Sequence, residues 1–207
     1  MAGNFNLVAP IYDRLAHLVF GSKLDLAQCT YLDQIPENSH VLILGGGSGS
    51  ILEALGGLNK KMTVTYLDTS SEMIRLAKAR KIFDQLSISF QVAGIEAIPH
   101  NSEYDVILTN FYLDLFDERT LKEVVQKLYH HLEAKGFWIV TDFYKTDRLS
   151  HKLLILTMIW FFRITSGIGS KELLPFEQYL NQCGLSKMKE KMFKNGMLKS
   201  QLFTKVL

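Results

Sequence analysis

Apolar and polar positions alternate between two rhythms along the chain. Residues 41–44, Val-Leu-Ile-Leu, form an unbroken aliphatic run that ends in Gly45, Gly46, Gly47 and Gly49. Such a run suits a strand covered on both faces, and the glycines allow a tight turn with close backbone approach to a ligand. Ile51, Leu52, Ala54, Leu55 and Leu58 follow at helical spacing, so the turn delivers its N–H groups to a helix N-terminus. Residues 62–67 condense into a second strand ending at Asp68. Ser70 or Ser71 then caps a helix carried by Met73, Ile74, Leu76, Ala77 and Ile82.

The same reading predicts a third strand over 87–92, a loop over 93–99 and a fourth strand over 104–109. Leu121, Val124, Val125, Leu128 and Leu132 mark an amphipathic helix with Gly136 as its C-cap. His130 and His131 lie in its last turn and read as solvated helix-end residues. A fifth strand over 137–141 leads to Asp142, Phe143 and Tyr144. Pro175 opens a short helix that Gly184 ends. Residues 186–194 and 197–206 form a closing hairpin joined at Asn195-Gly196. Ahead of the first strand, residues 5–35 suggest two helices broken near Gly21.

The chemistry turns on glycine spacing. A dinucleotide fingerprint requires G-x-G-x-x-G, but Ser50 occupies the place of the third glycine, and no phosphate-loop lysine follows. The spacing present is G-x-G-x-G at Gly45, Gly47 and Gly49. Asp68, about 20 residues on at the carboxyl end of the next strand, suits an acid that grips a ribose diol.

With those residues in place, the chain resembles the class I S-adenosylmethionine-dependent methyltransferases. The likeness is carried by residues 41–49, by Asp68-Thr69-Ser70-Ser71-Glu72-Met73, by Pro99, and by residues 104–108 and 136–140. Residues 5–13, Phe-Asn-Leu-Val-Ala-Pro-Ile-Tyr-Asp, are similar to the opening of the ubiquinone and menaquinone biosynthesis members. The resemblance implies an α/β fold, Rossmann-like and doubly wound, with a mostly parallel seven-stranded sheet and a C-terminal antiparallel hairpin. It implies S-adenosylmethionine as cofactor, held by Tyr12, Gly45, Gly47, Gly49, Asp68, Thr69, Met73, Gly94, Ile95 and Asn110. Two positions depart from the family: Ile43 stands where an acid usually precedes the first glycine, and Gly94 where an acid usually follows the third strand.

Residues 110–114 follow the fourth strand, where methyl donor and acceptor would meet. Tyr112 and Asp114 are the catalytic candidates there. The family often has His in place of Asp114, so a base role does not carry over directly; Asp114 either orients a substrate hydroxyl or begins the next helix, and the second reading is the better supported. The acceptor is expected to be a small apolar or aromatic molecule. The alternative is a protein of this fold that holds the cofactor or its demethylated product without catalysis.

Composition narrows the setting. Cys29 and Cys183 stand far apart without clustered histidines, so neither a disulfide framework nor a metal site is indicated, and a cytoplasmic location is expected. No basic segment followed by an apolar core opens the chain, which argues against a secretory signal. Residues 151–207 hold nine Lys or Arg against three Asp or Glu, whereas residues 1–150 hold fourteen against eighteen. This basic quarter reads first as lysines blunting an edge strand and second as attraction to an anionic partner. No aromatic-basic motif supports nucleic-acid binding. Residues 153–162 carry no charge but are too few to span a bilayer, which needs about 20 apolar residues. A lid over an apolar pocket is favoured over a homodimer interface or peripheral membrane contact. Residues 1–207 read as one domain, with 1–36 as a helical cover and 145–172 as a lid-like insertion.

Overall fold

Strand β1 (Ser39–Leu44) shows why the chain folds in three layers. Its residues alternate between faces: Leu42 and Leu44 join one buried cluster, Val41 and Ile43 another. Helices must therefore cover both sides. A computed structural model, describing residues 20–81, 83–166 and 172–206 with the side chains of 158–166 excepted, shows that they do.

On one face lie α2 (Ser50–Gly56) and α3 (Ser71–Lys78), which bring Ile51, Leu52, Leu55, Ile74 and Ala77 against Val41, Val64, Val106 and Ile139. On the other lie α4 (Glu118–His131) and α6 (Phe176–Gln182), which bring Leu121, Val125, Leu128, Phe176 and Leu180 against Leu42, Ile107, Trp138 and Phe203. A short helix, α1 (Lys23–Gln28), and the long α5 (Leu149–Ser166) frame a third cluster at the sheet's carboxyl edge.

The sheet has seven strands in the order β3-β2-β1-β4-β5-β7-β6. Strands β1, β2 (Met62–Asp68), β3 (Leu86–Val92), β4 (Tyr104–Asn110) and β5 (Leu132–Phe143) run parallel, while β7 (Leu198–Lys205) pairs antiparallel with both β5 and β6 (Leu185–Phe193). The order reverses between β1 and β4, the switch point where open α/β sheets bind ligands. The expected doubly wound sheet with a terminal hairpin is therefore the observed one. Edge strand β6 presents Lys187, Lys189 and Lys191, which suits lysines guarding an edge.

Four expectations are corrected. Gly136 is not a helix cap: α4 ends at His131, and Gly136 lies inside β5, where the register with β4 shifts. A Cβ at Gly136 would sit 2.8 Å from the Asp105 carbonyl oxygen, so close backbone packing, not helix termination, requires glycine. His131 is buried, with Nδ1 2.7 Å from the Ser102 carbonyl oxygen, and only His130 is solvated. Helix α3 stops at Lys78, before Ile82, which lies outside the described residues. The closing hairpin turns through Lys194, Asn195 and Gly196, all at positive φ, so Asn-Gly is the second half of a longer turn. Tyr12, the 5–13 motif and the side chains of Met158 to Phe162 also lie outside the described residues.

In α5, Ile155 is buried and Leu154 packs on the third cluster, while Leu149, Leu153 and Leu156 are 82%, 66% and 60% exposed. Of these five, Ile155 and Leu154 face the third cluster. Among the described residues, no helix is long and apolar enough to cross a membrane.

The hairpin belongs to the core, because Phe203 of β7 is fully buried among Trp138, Leu128 and Leu180. Phe203→Ala is expected to cost about 3–5 kcal/mol in urea unfolding; a loss under about 1 kcal/mol would mean the hairpin is appended to the core.

Candidate functional site

Where β1 ends, the chain must turn into α2 without losing its N–H partners. Gly45 and Gly46 both donate to the Leu67 carbonyl oxygen, at 2.9 and 3.3 Å. Gly47 donates to Asp68 Oδ2 at 2.9 Å. Gly49, at φ +86°, would bring a Cβ within 2.9 Å of Ala77 in α3, so both conformation and helix contact demand glycine there. At Gly47 a Cβ would meet nothing within 4 Å, which leaves that side of the turn open.

Asp68 is 8% exposed, and its other oxygen accepts from the Ser70 N–H at 2.8 Å. Burial raises its carboxyl, and the bonds from Ser70 and Gly47 work against that rise. Each oxygen keeps a second lone pair, so a diol can still be accepted. Thr69 is half-buried beside it, and Met73 is buried, its N–H donating to Ser70 Oγ at 3.1 Å.

The 3-10 turn after β3 (Ile95–Ala97) supplies an acid that the sequence reading missed. Gly94 N–H donates to Glu96 Oε1 at 3.0 Å, and a Cβ at Gly94 would fall 2.6 Å from Glu96 Oε2. Glu96 thus folds back over the position where an acid is lacking. Ile95 is half-buried against the cluster that contains Tyr112. The signal was present two residues downstream, in a spacing the family motif does not weigh.

Tyr112 is walled in: its ring lies where a Gly45 Cβ would be, 2.6 Å from Cδ2, and stands edge-on to Phe116 at 5.0 Å. Burial, then the negative charges of Glu96 and Asp68, push its hydroxyl well above the usual phenol range. It is a neutral wall between the glycine turn and the residues after β4.

Asn110, the last residue of β4, has its Oδ1 buried and without a hydrogen-bond partner. An acceptor oxygen in that state fits a ligand donor such as an ammonium or hydroxyl. Next to it Phe111 stands at φ +54°, a strained position for a bulky residue, and donates its N–H to the Thr141 carbonyl oxygen at 2.7 Å. Its ring meets Phe143 at 5.1 Å, and Phe143 meets Phe20 at 5.3 Å. With Leu154 and Ile155 these rings form an apolar wall at the carboxyl edge.

Asp114 does not begin the following helix. That cap is Asp117, whose Oδ1 accepts from the Thr120 N–H at 2.9 Å. Asp114 instead sits in the 3-10 turn Leu113–Leu115, against Asp142. Asp142 is fully buried and accepts from the N–H groups of Leu113 (3.0 Å), Asp114 (3.3 Å) and Phe143 (2.9 Å). Asp114 Oδ1 is buried and unpartnered. Burial pushes the Asp114 carboxyl up to about 7, the hydrogen bond with Asp142 opposing it. Asp142 is raised by burial and then by the charge of Asp114.

Among the described residues, no group of three or more His, Cys, Asp or Glu could hold a metal ion. The structure therefore brings Gly45, Gly47, Gly49, Asp68, Thr69, Met73, Gly94, Ile95, Asn110, Tyr112 and Asp114 to the carboxyl edge of β1 to β4, and adds Glu96 and Asp142.

The chain is similar to known proteins. Residues 41–136 match the family model described as a methyltransferase domain. The chain is 31% identical over 142 residues to a malonyl-[acyl-carrier protein] O-methyltransferase of Bacillus anthracis, an alignment spanning 67% of this chain and 51% of that protein. It is 25% identical over 173 residues to the mitochondrial ubiquinone biosynthesis O-methyltransferase of Candida albicans, spanning 78% of this chain and 49% of that one. The chain thus spans about half the length of these relatives. Human N-acetylserotonin methyltransferase, solved in complex with S-adenosylmethionine, superposes with a TM-score of 0.68 at 17% identity, over 95% of this chain and 55% of its own.

The acid pair sets a pH dependence. A carboxyl whose pKa is raised by folding keeps its proton in the folded chain after the unfolded chain has lost it, so its contribution is full below about pH 4 and is lost as pH rises through about 7. Unfolding free energy should therefore fall from pH 4 to 8 more steeply in the wild type than in Asp114→Asn, the variant being the more stable at pH 8 by on the order of 1–3 kcal/mol. Parallel pH profiles would place the retained proton elsewhere.

Proposed function

Because the chain belongs to the class I S-adenosylmethionine-dependent methyltransferase family, we propose that it binds S-adenosylmethionine across the carboxyl ends of β1, β2 and β4 and moves its methyl group to a small apolar or aromatic acceptor. The observation that carries this reading is Asp68, placed at the end of β2 with one oxygen on the glycine turn and lone pairs left for a ribose diol. Asn110 adds an unpartnered acceptor oxygen on the far side of the switch point. Thr69, Met73, Ile95 and Glu96 border the space an adenosine would take. Tyr12, which lies outside the described residues, is added to the proposed set only by the likeness of the opening motif.

Held by Asp68, Asn110 and the glycine turn, S-adenosylmethionine would supply an activated methyl group on a sulfonium. The protein's own work is then to align that group with the acceptor and exclude water. The turn from Asn110 to Asp114 is the floor for that alignment, and the rings of Phe111, Phe143 and Phe20 give it an apolar wall. The first half of α5 lies over that wall, which supports the lid reading. An oxygen acceptor is the favoured class, since the two curated relatives named above are O-methyltransferases. The Asp114–Asp142 pair stands beside that floor as a group able to take up a proton as the acceptor loses one.

Titration calorimetry is expected to show binding of S-adenosylmethionine and S-adenosylhomocysteine and none of NAD; binding of NAD alone would overturn the reading. Asp68→Ala should weaken S-adenosylhomocysteine binding by on the order of 1.5–3 kcal/mol per lost charge-assisted bond, and unchanged affinity would remove the ribose assignment. Tight binding with no methyl transfer to any oxygen acceptor in a panel of phenols and carboxylic acids would favour a protein that holds the cofactor without catalysis.

A further inference from the structure

Gly46 has no part in the G-x-G-x-G spacing, yet it is the most crowded glycine of the turn. A Cβ there would lie 2.1 Å from Tyr66 Cζ and 2.5 Å from its hydroxyl oxygen. Tyr66 is fully buried and pairs in register with Ile43, on the same face of the sheet. Its ring crosses the space left by Gly46, and its hydroxyl donates to the Gly47 carbonyl oxygen at 3.0 Å. Asp68, two residues on, accepts from the Gly47 N–H at 2.9 Å. One strand therefore grips Gly47 by both its polar groups, while the Cβ side of that residue stays open. Ser48 is tied from α3's exit, where Arg80 Nε donates to its carbonyl oxygen at 2.6 Å and Arg80 also pairs with Glu53 at 2.9 Å. Ile43, buried and apolar, gives the turn no such anchor.

We infer that Tyr66, lodged in the space left by Gly46, is the positioning residue that holds Gly47 in ligand-binding geometry, so that residues 46 and 66 act as a matched pair. The pair does not touch the ligand. It fixes the direction of the peptide groups on either side of Gly47, and preorganisation of that kind appears as affinity because the turn need not be ordered on binding. This inference rests on the cofactor reading above for its ligand.

The test uses the full chain with Tyr66→Phe, which keeps the ring and removes the hydroxyl, and Gly46→Ala, which expels the ring. Tyr66→Phe should weaken S-adenosylhomocysteine binding about threefold to tenfold and, in the free protein, broaden the amide resonances of Gly47 and Ser48 by exchange. In a double-mutant cycle, Tyr66→Phe should have no further effect on a Gly46→Ala background. Wild-type affinity with sharp, unshifted Gly47 and Ser48 amides in Tyr66→Phe would overturn the inference, as would full additivity of the two changes. If the wild type itself binds no S-adenosylhomocysteine, the cofactor reading falls, and the amide exchange of the free variant alone then decides the role of Tyr66.

Discussion

The register between β1 and β2 is the constraint on which the carboxyl edge depends. Leu44 lies opposite Leu67, so the next two N–H groups of the turn find the Leu67 carbonyl and the third finds Asp68. A slip of one residue would turn every β2 side chain to the opposite face. Tyr66 would leave its cluster and Leu67 would face the wrong helices. The hydrophobic clusters thus enforce the register, and the register places the polar groups. Packing and site geometry here are one constraint seen from two sides.

A second constraint is electrostatic. Asp68, Asp114 and Asp142 are buried near the same edge, and all three are held by backbone N–H groups or by one another. Burial raises each of them. Desolvated carboxyls supported only by dipoles favour a cationic ligand, because a nearby positive charge relieves the cost that neutral donors leave. The sulfonium and ammonium of the proposed cofactor have the matching sign. Neutral Tyr112, its hydroxyl raised by burial and then by the charges of Glu96 and Asp68, adds no charge of its own.

The sheet was legible in the sequence because β1, β2 and β5 are apolar runs that lead into a glycine or an acid, and those signals are local. Asp68 and the glycine spacing were legible for the same reason. Asp114 was misread as a helix start because its partner, Asp142, is 28 positions away, and nothing local distinguishes a cap from half of an acid pair. Glu96 and Tyr66 were missed because each works through a glycine's missing Cβ, at Gly94 and Gly46. A glycine in sequence reports freedom of φ; which side chain fills its empty volume is a tertiary fact. Gly136 failed in the same way: its place after an amphipathic helix suggested a cap, while the need was close contact with the Asp105 carbonyl.

The basic C-terminal quarter shows how such tertiary facts change a charge argument. Lys187 pairs with Glu177 at 2.7 Å and with Glu190 at 3.0 Å, and Lys199 reaches Glu190 at 3.4 Å. Gln201, fully buried, donates to Glu177 at 2.9 Å and accepts from the Tyr144 hydroxyl. Tyr144 directly follows the end of β5 at Phe143, so this network begins two residues from Asp142 of the acid pair. Two of the nine cations are thus committed to a half-buried network that seats the hairpin against β5 and α6. These pairs are partly shielded from solvent, and they bind through several hydrogen bonds at once, which gives them more weight than isolated surface pairs carry. Of the others, Lys189 and Lys191 lie on edge strand β6, where lysines discourage pairing with a further strand. Part of the positive charge counted in the sequence, at Lys187, Lys189, Lys191 and Lys199, thus serves the architecture of the sheet.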